Sequence, residues 1–262
     1  MSESKFDYSV VIPMFNARET IRECLNSVFT QSILPREVII IDDGSRDYGV
    51  EVVSSFIASL NTKHVKVILL GQENAGPSKA RNRGVMEASS DLIAFLDADD
   101  FWHQDKMHVQ LCFLRAHPNY RLLGIDSILN RPFREVSFKS LIYKNYFQTS
   151  TVLAFREVLL EFPFDETQKY SEDYKVWLQV TKKYQAGLIQ GEKAKNVRGK
   201  DFYANGGLSS KMREMLIFEL GNFRFMKQRG AMTFFEFITA SIFSMIKYIR
   251  RIIIFLFSKL TF

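Results

Sequence analysis

The sequence has 262 residues, a formal net charge of +6 and a hydrophobic content of 47%, which suits one sizeable domain with an appendage. Its two cysteines, Cys24 and Cys112, lie in helix-like segments without metal-ligand spacing, which argues against a disulfide framework or a zinc site. We expect both to be core cysteines in a reducing compartment. Residues 1–8 are polar and lead directly into a strand, so we expect no secretory signal and a cytoplasmic protein.

The positive charge is concentrated in the C-terminal part of the sequence. From Lys195 to the end there are 12 Lys and Arg against 4 Asp and Glu, whereas the preceding residues carry 23 against 25. A near-neutral body with a basic tail indicates contact with nucleic acid or with an anionic membrane.

Strand-like and helix-like patterns alternate through the first half of the chain. Continuous apolar runs predict buried strands at 9–12, 37–41, 65–70 and 92–96. Helical spacing of apolar residues predicts helices at about 17–30, with Asn16 as N-cap, and at about 48–60, 78–88 and 104–117. This alternation is typical of βαβ units and predicts an α/β fold with a largely parallel sheet.

The second half has a different pattern. We predict a helix at 138–147, a strand at 149–155 and a helix at 171–184, which opens with Ser171-Glu172-Asp173. Past Gly207 the pattern is helical to the end of the sequence, with a break near Gly230.

The acidic cluster Asp97-Ala98-Asp99-Asp100 directly follows the fourth predicted strand. Ligands bind at the carboxyl ends of strands in open α/β sheets, and carboxylates at this spacing suit Mg²⁺ or Mn²⁺. An equally open alternative is an acidic loop that caps the next helix, with Asp99 or Asp100 as N-cap.

Other polar residues also follow predicted strands. Pro13 to Asn16 follows the first and Asp42-Asp43 the second, while Lys79 and Arg81 open the helix after Gly76-Pro77. In a parallel sheet these turns share one edge, so we expect them to form one crevice with cations and free backbone N–H groups. Taken singly, the aspartates are ordinary turn residues and Arg81 with Arg83 is an ordinary solvated helix face.

Five ordered motifs between residues 8 and 190 resemble glycosyltransferase family 2, the inverting nucleotide-sugar transferases of GT-A fold. The motifs are SVVIPMFNARETIRECLNSVFTQ, EVIIIDDGSRD, NAGPSKARNRGVMEASSDLIAFLDADDFW, TSTVLAFR and FDETQKYSEDYKVWLQV. The resemblance implies a Rossmann-like, mostly parallel sheet flanked by helices and a transferase that uses Mg²⁺ or Mn²⁺.

The resemblance also implies roles for individual residues. It places the nucleotide-sugar-binding set at Pro13, Asn16, Asp43, Arg81, Asp97 and Ala98. Within it, Pro13 and Asp43 would contact the base and Asp97 the ribose side. Arg81 would lie near the diphosphate. Asp99 would be the metal ligand of the DxD motif, and Asp173 the catalytic base.

The chemistry of such a transfer needs a cation for the leaving diphosphate and a base for the acceptor hydroxyl. Asp173 opens an amphipathic helix, whose positive dipole end would keep its carboxylate ionised. The alternative is that Glu172-Asp173 is only a capping pair, since acidic residues are frequent in first helical turns.

The C-terminal segment 232–262 is rich in Phe and Ile. Its polar or small residues fall on one stripe of a helix, at Thr233, Glu236, Ala240, Ser244, Lys247 and Arg251. Its longest uninterrupted apolar run is too short to span a bilayer, so we predict an in-plane amphipathic helix on an anionic membrane, with basic residues near lipid phosphates. The alternative is an apolar face that packs on the catalytic domain or forms a dimer.

Together these features predict a GT-A catalytic domain at 1–205, with a nucleotide-sugar half at about 1–117 and an acceptor half at about 118–205, and a helical region at 206–262. The expected activity is metal-dependent, inverting transfer from a UDP-sugar to a glycan or lipid-linked acceptor, at the inner face of the cell membrane and without a nucleic-acid partner. The alternatives are an aspartyl phosphatase or phosphotransferase with Asp97 as nucleophile, and a non-catalytic membrane-associated assembly subunit.

Overall fold

The computed structural model describes residues 6–60, 64–192, 194–197 and 211–260, with side chains as far as Phe255. The strands are β1 (Tyr8–Met14), β2 (Glu37–Asp42), β3 (Lys66–Gly71), β4 (Leu92–Phe95), β5 (Asp100–Phe101), β6 (Tyr120–Asp126), β7 (Phe133–Glu135), β8 (Leu153–Phe155), β9 (Gln185–Gln190) and β10 (Lys195–Asn196). The helices are α1 (Ile21–Phe29), α2 (Gly49–Ser59), α3 (Pro77–Glu87), α4 (Lys106–Ala116), α5 (Phe138–Leu141), α6 (Arg156–Glu161), α7 (Glu172–Lys183), α8 (Met212–Gln228) and α9 (Phe234–Leu260).

An eight-stranded sheet in the order β3-β2-β1-β4-β8-β6-β9-β7 organises the fold. The first four strands of this order run parallel, β6 and β9 are also parallel, and β8 and β7 are antiparallel to their neighbours. The predicted α/β fold with a largely parallel sheet is therefore confirmed. The short strands β5 and β10 form a separate antiparallel pair.

Both faces of the sheet are covered, which explains why its central strands are continuous apolar runs. Along β1, Val10 and Ile12 face a core shared with α1, α2 and α4. Val11 faces the opposite core, which also contains side chains from α7, α8 and the start of α9. This alternation follows from the two-residue period of a strand.

The close packing of α3 on β1 depends on Gly84. A Cβ at this position would lie 2.4 Å from Cγ1 of Val11, closer than two carbon atoms can approach. Glycine therefore lets α3 lie directly on β1. One turn earlier on α3, Arg81 is carried to the carboxyl end of the strands.

Four predicted boundaries at the strand and helix ends need correction. Pro13 lies inside β1 rather than ending it; this is tolerated because the pairing of β1 with β4 stops at Val11, so no neighbour needs the missing N–H. Asn16 is not an N-cap. It has a φ of +50°, and its Oδ1 accepts a hydrogen bond from the Arg46 N–H at 2.9 Å, so α1 begins only at Ile21.

The other two corrections lie in the second half. The helix predicted at 138–147 ends at Leu141. Oδ1 of Asn145 accepts a hydrogen bond from the Phe147 N–H at 3.1 Å, a local bond that competes with the helix. The strand predicted at 149–155 begins only at Leu153, because Thr149–Thr151 forms a 3₁₀ turn that the Thr151 hydroxyl fastens to the Gln148 carbonyl.

The cysteine prediction is half right. Cys24 is buried in the core, but Cys112 is exposed on α4. Helical spacing alone does not show which face of α4 is covered. In the part of the chain that the structure describes, no helix has the length and apolarity required to cross a membrane.

Candidate active site

The loops after β1 and β2 meet, as the strand order requires. The Asp43 N–H donates to the Met14 carbonyl at 2.8 Å, and the Asn16 N–H donates to Oγ of Ser45 at 2.9 Å. With Arg46 bonded back to Asn16, these contacts join the two loops into one wall of the crevice. Pro13 lies at its base and is half-buried.

Asp43 is buried and fastens the loop that leads into α3. Its Oδ1 accepts from Nε2 of Gln72 at 2.8 Å and from the Ala75 N–H at 2.9 Å, and its Oδ2 accepts from the Gly76 N–H at 2.8 Å. The N–H groups of Ala75 and Gly76, just before α3, are thus bonded to Asp43. A carboxylate offers about four acceptor positions, so Oδ2 retains capacity for a ligand.

Arg81 is the centre of the site. Its guanidinium donates to Oδ1 of Asp97 at 2.7 Å and to Oε1 of Glu172 at 2.9 Å, which joins the acidic turn to the start of α7. Only 6% of its side chain is exposed, so the solvated-face alternative is wrong. Burial opposes the charge, but the carboxylates of Asp97 and Glu172 prevail and raise the pKa of Arg81. Lys79, in contrast, is exposed.

The acidic turn does not cap the following helix. Asp105, rather than Asp99 or Asp100, occupies the N-cap position of α4, so the capping alternative is wrong. The turn is instead held by the 3₁₀ turn before β8, because the Asp97 N–H donates to Oγ of Ser150 at 3.1 Å. Burial raises the pKa of Asp100 to about 6, and the negative charges of Asp97 and Asp99 raise it further. A hydrogen bond from Ser150 acts in the opposite direction.

Asp99 is the carboxylate of this turn that faces solvent. Nδ2 of Asn196 donates to its Oδ2 at 3.0 Å, and the Val197 N–H donates to its backbone carbonyl at 2.8 Å. The pairing of β10 with β5 therefore orients Asp99. Ala98, between the two outer aspartates of the motif, is 6% exposed and packs into the core.

The donor set suits a divalent cation that is shared with a ligand. Among the described residues, no group of three or more His, Cys, Asp or Glu is placed to hold a metal by itself. Mg²⁺, however, is usually bound through one or two carboxylates together with substrate phosphates. The exposed carboxylate of Asp99 fits that arrangement, while Asp97 is already paired with Arg81.

Arg81, Asp97 and Glu172 form an ion-paired group that we call the Arg81 cluster. Asp173 lies beside it, in the first turn of α7. Its Oδ1 accepts from the Tyr174 N–H at 2.6 Å and its Oδ2 from the Thr149 hydroxyl at 3.1 Å. Burial raises its pKa, although Arg81 and both hydrogen bonds act in the opposite direction. A raised pKa suits a group that must accept a proton near neutral pH.

The position of α7 is fixed by buried contacts on two sides. The Tyr174 hydroxyl donates to the Leu141 carbonyl at 2.6 Å, and Trp177 is fully buried. At its start, Ser171 has a φ of +56°, and Nδ2 of the buried Asn222 on α8 donates to its carbonyl at 2.9 Å. A backbone conformation of this kind persists when its surroundings hold it, and Asn222 supplies that support.

Thr149→Val should shift the acidic limb of the pH–rate profile to higher pH. The Thr149 hydroxyl bonds to the charged form of Asp173 and lowers its pKa, so its removal raises that pKa and this carboxylate becomes protonated at a higher pH. The measurement is the rate of the catalysed reaction as a function of pH. Thr149→Ser keeps a hydroxyl and should behave as the unaltered protein; an unchanged limb in the valine variant would contradict the assignment.

The sequence indicates the acidic turn and Asp173 but not the contacts of their partners. Thr149 and Ser150 begin the motif TSTVLAFR, in which no residue has a predicted role, and Asn196 lies in a short polar segment without a distinctive spacing. Phe15 was also missed. It is 51% exposed beside Asn16 at the edge of the crevice. Its sequence signal is an aromatic residue that directly follows the last residue of a buried strand, β1, where ligand-binding residues are expected.

Eight strands in this order, with helices on both faces, form a sheet of the GT-A type. A solved mannosyltransferase from Pyrobaculum calidifontis, in complex with GDP-Man and Mn²⁺, superposes with a TM-score of 0.65 at 17% identity, over 84% of this chain and 64% of that chain. The chain belongs to glycosyltransferase family 2, whose family model matches residues 9–151.

Curated relatives agree with this assignment. An uncharacterized glycosyltransferase from Haemophilus influenzae is 32% identical over 197 residues, 71% of this chain and 76% of the relative. The UDP-Glc:alpha-D-GlcNAc-diphosphoundecaprenol beta-1,3-glucosyltransferase WfgD from Escherichia coli is 30% identical over 183 residues, 66% of this chain and 69% of the relative. Two Rickettsia relatives are much longer, and the chain spans 32% of each.

Proposed function

We propose that the protein is a metal-dependent, inverting glycosyltransferase that moves a sugar from a UDP-sugar to a hydroxyl of a glycan or lipid-linked acceptor. The observation that supports this best is the bridge made by Arg81 between Asp97 and Glu172. It holds the turn that would bind the leaving diphosphate at a fixed position relative to Asp173. A single displacement needs these two groups on opposite sides of the anomeric carbon.

The leaving-group side consists of Asp99 and Arg81. When bound, Mg²⁺ or Mn²⁺ would neutralise charge on the departing diphosphate, and Asp99 would be its protein ligand. Arg81 adds a buried positive charge beside the same turn. The GDP-Man and Mn²⁺ in the mannosyltransferase complex support the use of a divalent ion by this fold.

The acceptor side depends on Asp173. A sugar hydroxyl is a weak nucleophile, so its proton must be removed as it attacks. Asp173 would accept that proton on its Oδ2, where the Thr149 hydroxyl is the other hydrogen-bond partner. Attack from the face opposite the leaving diphosphate inverts the anomeric configuration.

The nucleotide end would lie against the joined loops after β1 and β2. Asp43 would bind a base or ribose through the remaining capacity of Oδ2, with Pro13 and Asn16 beside it. Asp97 and Ala98 would contact the ribose side. The exposed ring of Phe15 offers a flat apolar surface on which a base can stack.

The names of two relatives suggest the donor and the pathway. WfgD is named for UDP-Glc and a diphosphoundecaprenol-linked acceptor, and AmsB from Erwinia amylovora is named for amylovoran biosynthesis. A UDP-sugar, a lipid-linked acceptor and a role in cell-surface polysaccharide synthesis at the inner face of the membrane follow for this chain as proposals. The division into a catalytic domain at 1–205 and a helical region at 206–262 remains a prediction.

The aspartyl phosphatase alternative receives no support from the geometry. The carboxylate of Asp97 is ion-paired through Oδ1 with the buried Arg81 at 2.7 Å, and the adjacent positive charge weakens it as a nucleophile. Family membership and the paired carboxylates on α7 also argue against a purely structural subunit.

Asp99→Ala should abolish metal-dependent binding of nucleoside diphosphate. Asp99 is the exposed carboxylate of the turn, and its loss leaves the ion with no protein ligand in this arrangement. The test is calorimetric titration of UDP and of a panel of UDP- and GDP-sugars, with and without Mn²⁺ or Mg²⁺. Asp105→Ala, which removes another exposed carboxylate a few residues away, is the matched control. If no nucleotide sugar binds to the unaltered protein under either condition, the proposed function is wrong.

A further inference from the structure

The long C-terminal helix α9 is oriented with its polar stripe towards the protein. Ala240 is 0% and Ser244 is 1% exposed. Oε1 of Glu219, on α8, accepts hydrogen bonds from the Ser244 hydroxyl at 2.7 Å and from Nζ of Lys247 at 2.9 Å. Nζ of Lys247 also donates to the Tyr143 carbonyl at 3.1 Å. The stripe predicted from the sequence is therefore an internal contact from Ala240 to Lys247.

The opposite, outward side of α9 is apolar. Exposed large side chains run along it from the first to the last described turn, at Phe234, Phe235, Ile238, Ile242, Phe243, Met245, Ile246, Ile249, Ile253 and Ile254. We call this set the outer face of α9. Arg250 and Arg251 are the exposed charged residues of the described part of the helix, and both lie near its C-terminal end.

This orientation is the reverse of that of a surface helix in a globular protein, where the apolar stripe faces the core. The middle of the polar stripe packs on the protein, and most of the large apolar side chains of α9 point outward, although the ring of Phe243 also contacts Tyr143 edge-on. At 1.5 Å per residue, the outer face is roughly 30 Å long. Contiguous apolar surface of this size on a protein marks a binding surface.

We infer that the outer face of α9 docks on an anionic lipid surface. Its length and its lack of charge before Arg250 match the apolar layer just below the headgroups. Residues 211–262 contain nine Lys and Arg against three Glu. That charge is attracted to acidic headgroups, whereas it would repel a second copy of the same segment placed against it.

A shallow apolar depression lies near the C-terminal end of this face. It is open to solvent, has a volume of about 320 Å³ and is lined by apolar atoms of Ile246, Ile249, Ile253, Ile254 and Arg250. The isoleucines provide a surface for acyl chains. The exposed side chains of Arg250 and Arg251 at the same end of the helix can pair with lipid phosphates.

The docked face would hold the catalytic body in one orientation. Lys247 ties α9 to Glu219 of α8 and to the Tyr143 carbonyl, and Tyr143 follows α5 in the catalytic body. This orientation would present a lipid-linked acceptor to the site, and that step rests on the proposed function. Docking itself does not depend on transferase activity.

The test is flotation of the full chain with vesicles of phosphatidylcholine, alone or mixed with phosphatidylglycerol. The unaltered protein should float with the mixed vesicles and much less with phosphatidylcholine alone. Ile242→Glu combined with Ile246→Glu should weaken binding about tenfold or more, because each places a charge in the apolar layer. Ile128→Glu is the matched control, since Ile128 is 81% exposed away from α9, and should bind as the unaltered protein does.

Two further measurements separate the remaining outcomes. Arg250→Glu with Arg251→Glu should remove the preference for phosphatidylglycerol. Light scattering without lipid gives the mass: a dimer that dissociates in the Ile242→Glu, Ile246→Glu variant would assign the face to a second copy and overturn the inference. Equal flotation of that variant and the control would also overturn it. Vesicle binding requires no donor, so failure of docking is distinguishable from failure of nucleotide-sugar binding.

Discussion

Asp173→Asn is expected to slow glycosyl transfer by about 10²- to 10⁴-fold, the usual contribution of a general base, while the affinity for the nucleotide-sugar donor stays near that of the unaltered protein. The asparagine carbonyl oxygen can still accept a hydrogen bond from the Tyr174 N–H, and its NH2 group can donate to the Thr149 hydroxyl, but the amide cannot take a proton from the acceptor. Single-turnover kinetics together with donor titration measure the two quantities separately.

Asp165→Asn is the matched control for this substitution. Asp165 is a nearby carboxylate that pairs with Lys175 of α7 through its Oδ2, outside the Arg81 cluster. The Asp165→Asn variant should therefore retain a turnover rate close to that of the unaltered protein. Full transfer by Asp173→Asn, or an equal loss in both variants, would show that the base has been assigned to the wrong residue.

Arg81→Met should lower the free energy of unfolding by about 3 kcal/mol, the lower end of the range for breaking a buried ion pair. The substitution leaves the carboxylates of Asp97 and Glu172 without their cation, and the lower end applies because 33% of the Asp97 side chain is exposed to solvent. Donor binding should be lost with it. Urea unfolding of the purified variant gives the stability difference.

A double variant and the pH dependence test the reason for that loss. Adding Glu172→Gln removes one of the uncompensated charges, so it should restore part of the stability. Burial and Asp173 raise the pKa of Glu172, and Arg81 acts in the opposite direction. Without Arg81 that pKa rises further above its value in the unfolded chain, so the deficit is present at neutral pH and should shrink as the pH falls and Glu172 becomes protonated. Arg83→Met, which loses one hydrogen bond to the Gly71 carbonyl, should cost less than about 1 kcal/mol. A similar loss in both single variants would contradict the explanation.

The parts of the site that sequence could predict are those that follow buried strands. Apolar runs located β1, β2, β3 and β4, and the acidic turn follows from the end of β4. The bond from Arg81 to Glu172 joins residues 91 positions apart. It depends on how α7 packs beside α3, which no local pattern determines.

The orientation of α9 shows a second limit. Periodicity identified its polar stripe correctly, yet gave no information about which side of the helix meets the protein. That choice depends on Glu219 of α8, whose carboxylate pairs with Lys247 and Ser244. A stripe that would ordinarily face water becomes internal when a neighbouring helix presents the complementary charge.

Helix α8 contacts both the start of α7, through the hydrogen bond from Asn222 to the Ser171 carbonyl, and α9. The same helix supports the turn before Asp173 and, through Glu219, fastens α9. The proposed catalytic base and the proposed docking helix are therefore held by one element, so they could not be exchanged independently between related enzymes. A chimera that keeps its activity would have to inherit α8 together with α7, and a shortened chain that keeps its activity would have to be cut in the turn at Gly230, after α8 and before α9.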